Sequence, residues 1–235
     1  MIPKLDIPDG LSRDAAESLQ GALAAQVVVE DRLGRIETVA GLDVAYDRQG
    51  KRATAAIAVL RADDLSVVET RTLDTAIRFP YIPGLLSFRE LPAICALLQQ
   101  VTVIPDLLIC DGQGIAHPRR FGLACHLGVM FDVPAIGCAK TPLLGAVCEP
   151  GLARGDSTTL LDRGDIVGCA LRTRSGVKPV YVSPGHRISV ASACEWVLKL
   201  SPRFRLPEPL RLADQAARTA QADRLIPHPK KPSPR

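Results

Sequence analysis

Residues 37–46 read Glu37-Thr-Val-Ala-Gly-Leu-Asp43-Val-Ala-Tyr46, a β-branched and alternating run of the kind that forms a β-strand. Two later runs, 52–60 and 66–75, have the same character. Turn-forming residues separate the runs, among them Asp-Arg-Gln-Gly at 47–50. The three runs therefore predict a three-stranded antiparallel meander.

The pattern changes after the meander, because helical spacing and short apolar runs then alternate. Residues 87–100 predict a helix, 106–110 a strand, about 119–130 a helix and 134–139 a strand. Such a sequence is typical of an α/β protein with one mixed sheet, in which parallel strands join the meander and helices flank the sheet. The remaining predicted elements are an N-terminal helix at 14–30, a hairpin of 165–173 with 177–182, and helices at 189–200 and about 210–220.

The chain of 235 residues is long enough for one large domain, and a hydrophobic content of 47% excludes a disordered chain. We find no internal repeat and no linker, so residues 1–226 are predicted to form a single domain. The formal net charge of +4 is unevenly spread, since residues 201–235 contain eight of the 29 basic residues but only three of the 25 acidic ones. Residues 227–235, with four prolines, are predicted to be a disordered basic tail.

The seven cysteines form no Cys-x-x-Cys pair, and each lies in an apolar run. This usage indicates buried free thiols in a reducing compartment. The first ten residues carry three charged side chains and lack the apolar core of a secretory signal. The longest uncharged stretch, 91–105, is too short to span a bilayer. We therefore expect a cytoplasmic protein that does not bind membranes.

Two carboxylates occupy unusual places in the predicted strands. Asp43 lies inside the first strand between apolar neighbours, and Asp111 follows the apolar run 107–110. In a mixed sheet the first meander strand can lie beside the first parallel strand, which would bring both carboxylates to the edge where ligands collect. Two like charges at short range favour a hard cation such as Mg²⁺ or Mn²⁺. The alternative is a strand-edge acid at 43 and an Asx-turn residue at 111.

Three other charged residues are candidates for the same site, each with an ordinary alternative. Glu90 lies in the first turn of the predicted helix 87–100, where it also fits a capping box with Ser87. Asp214 lies on a late helix among arginines and is equally a surface acid. Lys140 ends the strand 134–139, where a lysine contacts either solvent or a phosphate.

The loop Arg78-Phe-Pro-Tyr81-Ile-Pro-Gly84 carries an aromatic residue and an isoleucine, although only 4% of the chain is aromatic. Its prolines stiffen the loop, which suits a wedge inserted between bases. The alternative is a loop whose Tyr81 and Ile82 fold back on the core.

Three polar residues that follow Asp111 in the sequence are further candidates for the functional site. His117 could reach a metal or a base, although a lone loop histidine commonly has neither role. Arg119 and Arg120 open a predicted helix against the preference of its dipole, which indicates contact with phosphate. Together with Arg89 and Lys140, they would place individual positive charges along a path to the metal.

Five segments, spread from about residue 35 to 215, match a known pattern. They read Val39-Ala-Gly-Leu-Asp-Val-Ala-Tyr46, Phe79-Pro-Tyr-Ile-Pro-Gly-Leu-Leu-Ser-Phe-Arg-Glu90, Asp111-Gly-Gln-Gly-Ile-Ala-His-Pro-Arg-Arg-Phe-Gly-Leu-Ala-Cys-His-Leu-Gly128, Gly137-Cys-Ala-Lys140 and Ser183-Pro-Gly-His-Arg-Ile-Ser189. In these segments the chain closely resembles the endonuclease V family of deoxyinosine-directed repair nucleases. The pairing of the Pro-Tyr-Ile-Pro-Gly loop with the long Asp-Gly-x-Gly-x-x-His-Pro-Arg run is highly specific. The resemblance implies a ribonuclease H-like fold.

The resemblance also implies roles for individual residues. Asp43 and Asp111 would bind the metal directly, Glu90 would support the metal or its water, and Lys140 would position phosphate or the attacking water; these four are the implied catalytic residues. Asp214 matches an acidic version of the family's last metal position. The implied strand-separating wedge is Tyr81, Ile82 and Pro83, and the implied pocket for the flipped base consists of Gly84, Leu86, Gly112, His117, Gly122 and Leu123.

The implied reaction is Mg²⁺-dependent hydrolysis of the second phosphodiester 3′ to deoxyinosine, with Mn²⁺ as a substitute cation, leaving 3′-hydroxyl and 5′-phosphate ends. The expected partner is DNA containing deoxyinosine, bound by a monomer. RNA containing inosine is an alternative substrate, because the choice depends on ribose contacts. A protein that binds flipped inosine without cutting, or a related nuclease directed at differently distorted DNA, would also be compatible with this scaffold.

Overall fold

The computed structural model describes residues 1–8 and 10–225, and within them the chain forms an eight-stranded mixed sheet with five α-helices. The predicted tail at 227–235 lies outside the described residues. The strands are β1 Thr38–Tyr46, β2 Arg52–Arg61, β3 Val67–Ala76, β4 Leu107–Cys110, β5 Ala135–Ala139, β6 Ser157–Asp162, β7 Asp165–Leu171 and β8 Val180–His186. The helices are α1 Arg13–Ala24, α2 Leu86–Leu98, α3 Leu123–Phe131, α4 Val190–Lys199 and α5 Glu208–Leu225.

The sheet has the strand order β3-β2-β1-β4-β5-β8-β7-β6. Strands β1 to β3 form the predicted antiparallel meander, and β4 and β5 extend it in parallel with β1. Strands β8, β7 and β6 complete the sheet with antiparallel pairings. The prediction of a meander joined to parallel strands and flanked by helices is therefore confirmed, as is the hairpin that pairs β7 with β8.

Both faces of the central strands are covered by helices, which explains their nearly continuous apolar sequences. On one face, Val39 and Ile109 pack with buried residues of α4 and α5. On the opposite face, Leu42 and Leu108 pack with α2 and α3. Among helices in the described part of the chain, none combines the length and apolar character needed to cross a membrane.

Helix α1 is shorter than predicted, since it ends at Ala24 and not at residue 30. The chain beyond it follows the end of β8. There the N–H of Arg187 donates to the carbonyl of Val28 (2.6 Å), and the N–H of Val28 donates to Nδ1 of His186 (3.3 Å). Val28 is therefore held by His186 at the end of β8 and by Arg187 just beyond it, and the helix does not continue through this residue.

Helix α3 begins at Leu123, four residues later than predicted, with Gly122 at its N-cap. Arg120 has a φ of 53°, which lies outside the right-handed helical region. Arg119 and Arg120 consequently belong to the loop before the helix, and the prediction that they open it is wrong.

Strand β6 was not predicted, although its Thr-Thr-Leu core and the following turn were signals for it. Arg163 and Gly164 both have positive φ angles, of 56° and 89°, which makes the tight turn between β6 and β7.

The prediction that all seven cysteines are free is also wrong, because Cys169 of β7 and Cys194 of α4 form a disulfide. The other five cysteines are free.

Candidate active site

Asp43 and Asp111 lie side by side where β1 and β4 end their pairing. The register pairs Leu42 with Cys110, and the N–H of Asp111 donates to the carbonyl of Leu42 (3.2 Å). Both carboxylates therefore follow the last paired residues of neighbouring parallel strands. This is the edge of the sheet at which ligands of α/β proteins collect.

Glu90 approaches the two aspartates from α2. Its Oε1 atom accepts a hydrogen bond from the hydroxyl of Tyr46 (2.7 Å), and the residue is only 7% exposed. The predicted capping box is wrong, since α2 begins without a side-chain cap. Ser87, the predicted cap, instead places its Oγ 3.2 Å from Nδ1 of His126. Glu90 is therefore a buried carboxylate directed toward the sheet edge and not a helix cap.

Burial and mutual repulsion disturb the ionisation of these carboxylates. Burial, followed by the charges of Asp111 and Asp214, raises the pKa of Asp43 to about 6. Burial raises the pKa of Glu90 to about 8, with further contributions from Asp43 and Asp111, while the Tyr46 hydrogen bond opposes the rise. Acids that repel one another in this way are stabilised by added positive charge, and such perturbed groups are typical of functional sites.

Lys140 supplies a positive charge at this edge. It follows β5, and its Nζ forms an ion pair with Asp111. Burial opposes the charged form, but the partnership with Asp111 prevails and raises the pKa of Lys140, so the ammonium group remains protonated. Arg205 donates a hydrogen bond to the carbonyl of Lys140 (2.7 Å) and thereby fixes the backbone at the strand end.

Asp214 comes to the site from α5, which packs across β1 and β2. Its charge is near enough to raise the pKa of Asp43. The carboxylate also accepts two hydrogen bonds from Arg218, one turn later on the same helix, at 2.9 and 3.0 Å. Asp214 thus joins the electrostatic cluster while remaining paired with an arginine.

The donor chemistry of the cluster fits a hard divalent cation. Carboxylate oxygens are the protein ligands that Mg²⁺ prefers. Within residues 1–8 and 10–225, no three His, Cys, Asp or Glu side chains are arranged as a ready-made metal site. The fit therefore rests on charge: Asp43 and Glu90 both have raised pKa values, and a cation beside them would relieve the repulsion.

A cavity of about 370 Å³ opens beside the carboxylates. Asp111 and Lys140 belong to its wall, as do Tyr81 and Pro83 from the predicted wedge loop. The wall also contains all the residues predicted to surround a flipped base, namely Gly84, Leu86, Gly112, His117, Gly122 and Leu123. One cavity therefore brings together the pocket candidates, part of the wedge candidate and two of the catalytic candidates.

His117 is a buried structural contact of this cavity wall. Its Nδ1 accepts a hydrogen bond from the N–H of Arg119 (3.2 Å), which assigns the ring proton to Nε2, and Nε2 donates to the carbonyl of Gly84 (2.9 Å). Burial lowers the pKa of His117 to about 4, so the imidazole is neutral near pH 7. The neutral ring ties the wedge loop to the loop before α3.

The two neighbouring residues Tyr81 and Ile82 differ in exposure, so the alternative in which both fold back on the core is correct for Ile82 alone. Tyr81 is 67% exposed, and Pro83 is exposed as well. Ile82 instead folds back and packs against a small apolar cluster of Ala16, Leu85 and Phe88. Tyr81 is therefore an exposed aromatic side chain of this loop, available to an external partner.

The arginines predicted to contact phosphate make internal contacts. Arg89 donates to two loop carbonyls, at 2.9 and 3.1 Å. Arg119 donates to the carbonyl of Gly84 (3.0 Å), and Arg120 pairs with an aspartate on each strand of the β6–β7 hairpin, at 2.7 and 3.2 Å. These guanidinium groups hold loops together, so the proposed path of free charges is not present at these three positions.

Gln20 of α1 also lines the cavity and was not predicted. It is fully buried, and its amide hydrogen bonds to the carbonyls of Gly84 and Phe121. A signal was present in the sequence, because Gln20 is the polar member of the otherwise apolar buried face formed with Ala16 and Leu23.

Comparison with known proteins adds independent information. A family model described as Endonuclease V matches residues 21–215. Endonuclease V of a Nostoc species is 47% identical over 211 residues, which are 89% of this chain and 96% of that protein. The crystal structure of Endonuclease V from Streptomyces avermitilis aligns with a TM-score of 0.87 and 43% identity, covering 93% of this chain and 96% of the other. Ciona intestinalis Endonuclease V, in complex with a 23mer DNA containing an inosine followed by a ribo-adenosine, aligns with a TM-score of 0.81 and 25% identity, covering 91% and 99%.

Proposed function

The chain belongs to the endonuclease V family, has its ribonuclease H-like fold and is a phosphodiester hydrolase; from this premise we propose that it nicks DNA containing deoxyinosine at the second phosphodiester 3′ to that base. The products carry 3′-hydroxyl and 5′-phosphate ends. The observation that carries the proposal is the cavity whose wall includes Asp111 and Lys140, because a base held there would put its own strand beside the carboxylates. The inosine-containing DNA bound by the Ciona relative supports the choice of base.

The cavity receives the inosine base after the base has rotated out of the helix. Its volume of about 370 Å³ lies within the roughly 300–1,000 Å³ of small-ligand pockets. Hypoxanthine presents a carbonyl oxygen and a ring N–H where adenine presents an amino group and a ring acceptor. Backbone groups around Gly84, Gly112 and Gly122 supply donors and acceptors for that edge, and a weak inosine pair costs less to open than an ordinary pair.

The wedge residue with the strongest support is Tyr81. Its exposed ring lies on a loop stiffened by Pro80 and Pro83, beside the mouth of the base pocket. An aromatic ring in this position can stack on the bases adjoining the vacated place and keep the strands apart. Ile82 contributes by anchoring the loop to the apolar cluster beneath it.

Asp43 and Asp111 would hold a Mg²⁺ ion, with Glu90 and Asp214 supporting it; Mn²⁺ has the same ligand preference and can replace it. Such a cation lowers the pKa of bound water and stabilises the charge that develops during in-line displacement at phosphorus. Burial and mutual repulsion raise the pKa values of Asp43 and Glu90, and both effects favour a doubly charged partner beside these carboxylates.

Lys140 and Glu90 contribute a positive charge and a titratable carboxyl group to the proposed site. The protonated Lys140 can attract a phosphate oxygen once the strand lies beside Asp111. Glu90, with its pKa raised to about 8, holds a proton at neutral pH while no cation is bound, and the Tyr46 hydroxyl stabilises its ionised form. Glu90 lies on α2, and Lys140 directly follows the end of β5, where Arg205 donates a hydrogen bond to its carbonyl (2.7 Å), so both groups are attached to rigid elements.

A side-by-side cleavage assay tests the proposed substrate. Matched DNA and RNA strands, each with one inosine, are incubated with the protein and Mg²⁺, and product lengths are read at single-nucleotide resolution. We expect nicking of the DNA strand at the second phosphodiester 3′ to inosine and a markedly lower rate on RNA. Faster cutting of RNA would replace the proposal with an inosine-specific endoribonuclease, and inosine-dependent binding without cutting would replace it with an inosine-binding protein that has lost its chemistry.

A further inference from the structure

Gln20 joins two walls of the base pocket. The residue lies in the middle of α1, is 0% exposed and belongs to the cavity wall. Its Nε2 atom donates to the carbonyl of Gly84 at 3.1 Å and to the carbonyl of Phe121 at 2.7 Å. A single side-chain amide thus connects two loops that are distant in sequence and that line the same cavity.

The acceptors of Gln20 are the groups that orient these walls. The Phe121 carbonyl belongs to the peptide that leads into Gly122, and the Gly84 carbonyl to the peptide that leads from the wedge loop into α2. The Gly84 carbonyl also accepts from Nε2 of His117 (2.9 Å) and from Arg119 (3.0 Å). With three donors on one oxygen, the direction of the Gly84 peptide is fixed before any base enters.

The carbonyl oxygen of the Gln20 side-chain amide also has a hydrogen-bond partner. Its Oε1 atom accepts a hydrogen bond from Nε of Arg119 (2.6 Å), and Glu17 lies 3.7 Å from the same guanidinium group. One turn of α1 therefore positions the arginine that contacts Gly84. Both polar atoms of the Gln20 amide are engaged with the pocket wall or with this arginine.

Gln20 is the polar member of an otherwise apolar buried face of α1. Its neighbours on the buried face of α1 are Ala16, which packs against Phe88 of α2, and Leu23, which packs against Phe121 and α3. A buried amide costs free energy unless all its hydrogen bonds are made, and a complete buried network favours one conformation over others. The complete network around Gln20 therefore favours one shape of the pocket wall.

We propose that Gln20 is a positioning residue for inosine recognition: through its bonds to Gly84 and Phe121 it holds the two backbone walls at the separation and orientation that read hypoxanthine. The inference rests on the proposed function of the cavity. It assigns to α1, a helix outside the sheet and its main helical layers, a role in base selection.

Binding to two matched strands tests this role. One strand carries inosine and the other carries an abasic site at the same position, and affinities are measured with EDTA present so that neither strand is cut. Gln20→Met keeps the size of the side chain and removes its amide. We expect this variant to bind the inosine strand at least about tenfold more weakly than the wild type while its affinity for the abasic strand is unchanged.

Two further variants separate positioning from stability. Gln20→Glu can still accept from Arg119 but cannot donate to either carbonyl, so we expect the same selective loss. Leu23→Ala removes packing from the same face of α1, and we expect it to lower the melting temperature while preserving the preference for inosine. Melting curves of all variants report folding.

The outcomes distinguish the two proposals. Equal binding of the inosine strand by wild type and both Gln20 variants overturns the role of Gln20, as does a loss that is the same for both strands or is reproduced by Leu23→Ala. A wild-type protein with no preference for inosine over the abasic strand overturns the proposed function, and the role of Gln20 with it.

Discussion

Tyr46 and Glu90 are joined by a hydrogen bond of 2.7 Å from the tyrosine hydroxyl to the Oε1 atom of the carboxylate, so the last residue of β1 holds the start of α2 against the sheet edge. The bond favours the ionised form of Glu90 in a place where burial opposes it. In the proposed metal site, the bond would therefore affect how readily Glu90 supports a cation.

Tyr46→Phe removes that donor, and we expect the pKa of Glu90 to rise further above its raised value of about 8. At pH 7 more of the protein then holds a proton on Glu90, so half-maximal nicking requires more Mg²⁺, by a factor of about 3–10. The difference between the two proteins in the Mg²⁺ concentration needed for half-maximal nicking narrows at higher pH, where Glu90 ionises in both. Mg²⁺ titrations of the nicking rate at pH 7 and pH 9 check this, and identical midpoints at pH 7 would contradict it.

Asp43→Asn is expected to stabilise the protein in the absence of metal. The pKa of Asp43 is raised from its ordinary value of 3.8 to about 6, so the charged form destabilises the folded state. This cost is absent below about pH 4, grows up to about pH 6 and is complete above that. After allowance for solvent screening, removing the charge gains about 1 kcal/mol, or roughly 2–4 °C in melting temperature at pH 8.

Melting curves at pH 8 and pH 4, with EDTA and then with Mg²⁺, measure this effect. Wild type should gain stability from Mg²⁺ and Asp43→Asn should gain little. A lower melting temperature for Asp43→Asn at pH 8 without metal would show that the aspartate is stabilising, contrary to the account of a strained cation site.

Alanine substitutions of the neighbouring residues Tyr81 and Ile82 should have different effects on nicking and on stability. Tyr81 is 67% exposed, so Tyr81→Ala should leave the melting temperature unchanged and slow the nicking of duplex DNA about tenfold through lost stacking. Ile82 is partly buried against Leu85 and Phe88, so Ile82→Ala should cost about 1–2 kcal/mol of stability. Comparing duplex with single-stranded substrate identifies the wedge: the Tyr81→Ala defect should shrink on single strands, and a defect of equal size on both would contradict a strand-separating role.

Gly122 and Gly112 both line the cavity that we propose as the base pocket, but they differ in the space around them. A Cβ on Gly122 would lie 2.3 Å from the carbonyl oxygen of Gln113, which only a backbone shift can relieve. A Cβ on Gly112 would meet Leu123 at an ordinary 3.6 Å. Gly122→Ala should therefore lose on the order of 3 kcal/mol of stability.

Gly112→Ala should fold normally and bind inosine DNA more weakly, because its methyl group adds to the wall of the pocket. Thermal melting together with binding to inosine and adenine strands checks both variants. A stable Gly122→Ala protein, or a Gly112→Ala protein that binds like the wild type, would contradict the geometry assigned to the pocket.

The sequence predicts the sheet well because its strands are periodic and its turns carry strong signals. The meander, the parallel strands and the pairing of β7 with β8 follow from local patterns, and the same patterns place Asp43 and Asp111 at adjoining strand ends. Helix boundaries set by tertiary contacts are not predicted in this way: the segment after α1 hydrogen bonds to His186 at the end of β8 and to Arg187 just beyond it.

Side-chain partners were the least predictable feature, because they depend on which loops meet. Arg119 and Arg120 look free in the sequence, yet their guanidinium groups are bound by Gly84 and by the β6–β7 hairpin. Glu90 fits a helix cap by spacing, but its partner is Tyr46, 44 residues away. Gln20 shows the same difficulty, since its two acceptors come from separate loops.

The most direct test of the account is single-turnover nicking of a labelled duplex that contains one deoxyinosine, beside the same duplex with adenine, in Mg²⁺. We predict one product, cut at the second phosphodiester 3′ to inosine, no product from the adenine duplex, and a rate at least about a hundredfold lower for Asp111→Asn. An intact inosine strand with the wild type, or Asp111→Asn nicking as fast as the wild type, would contradict it.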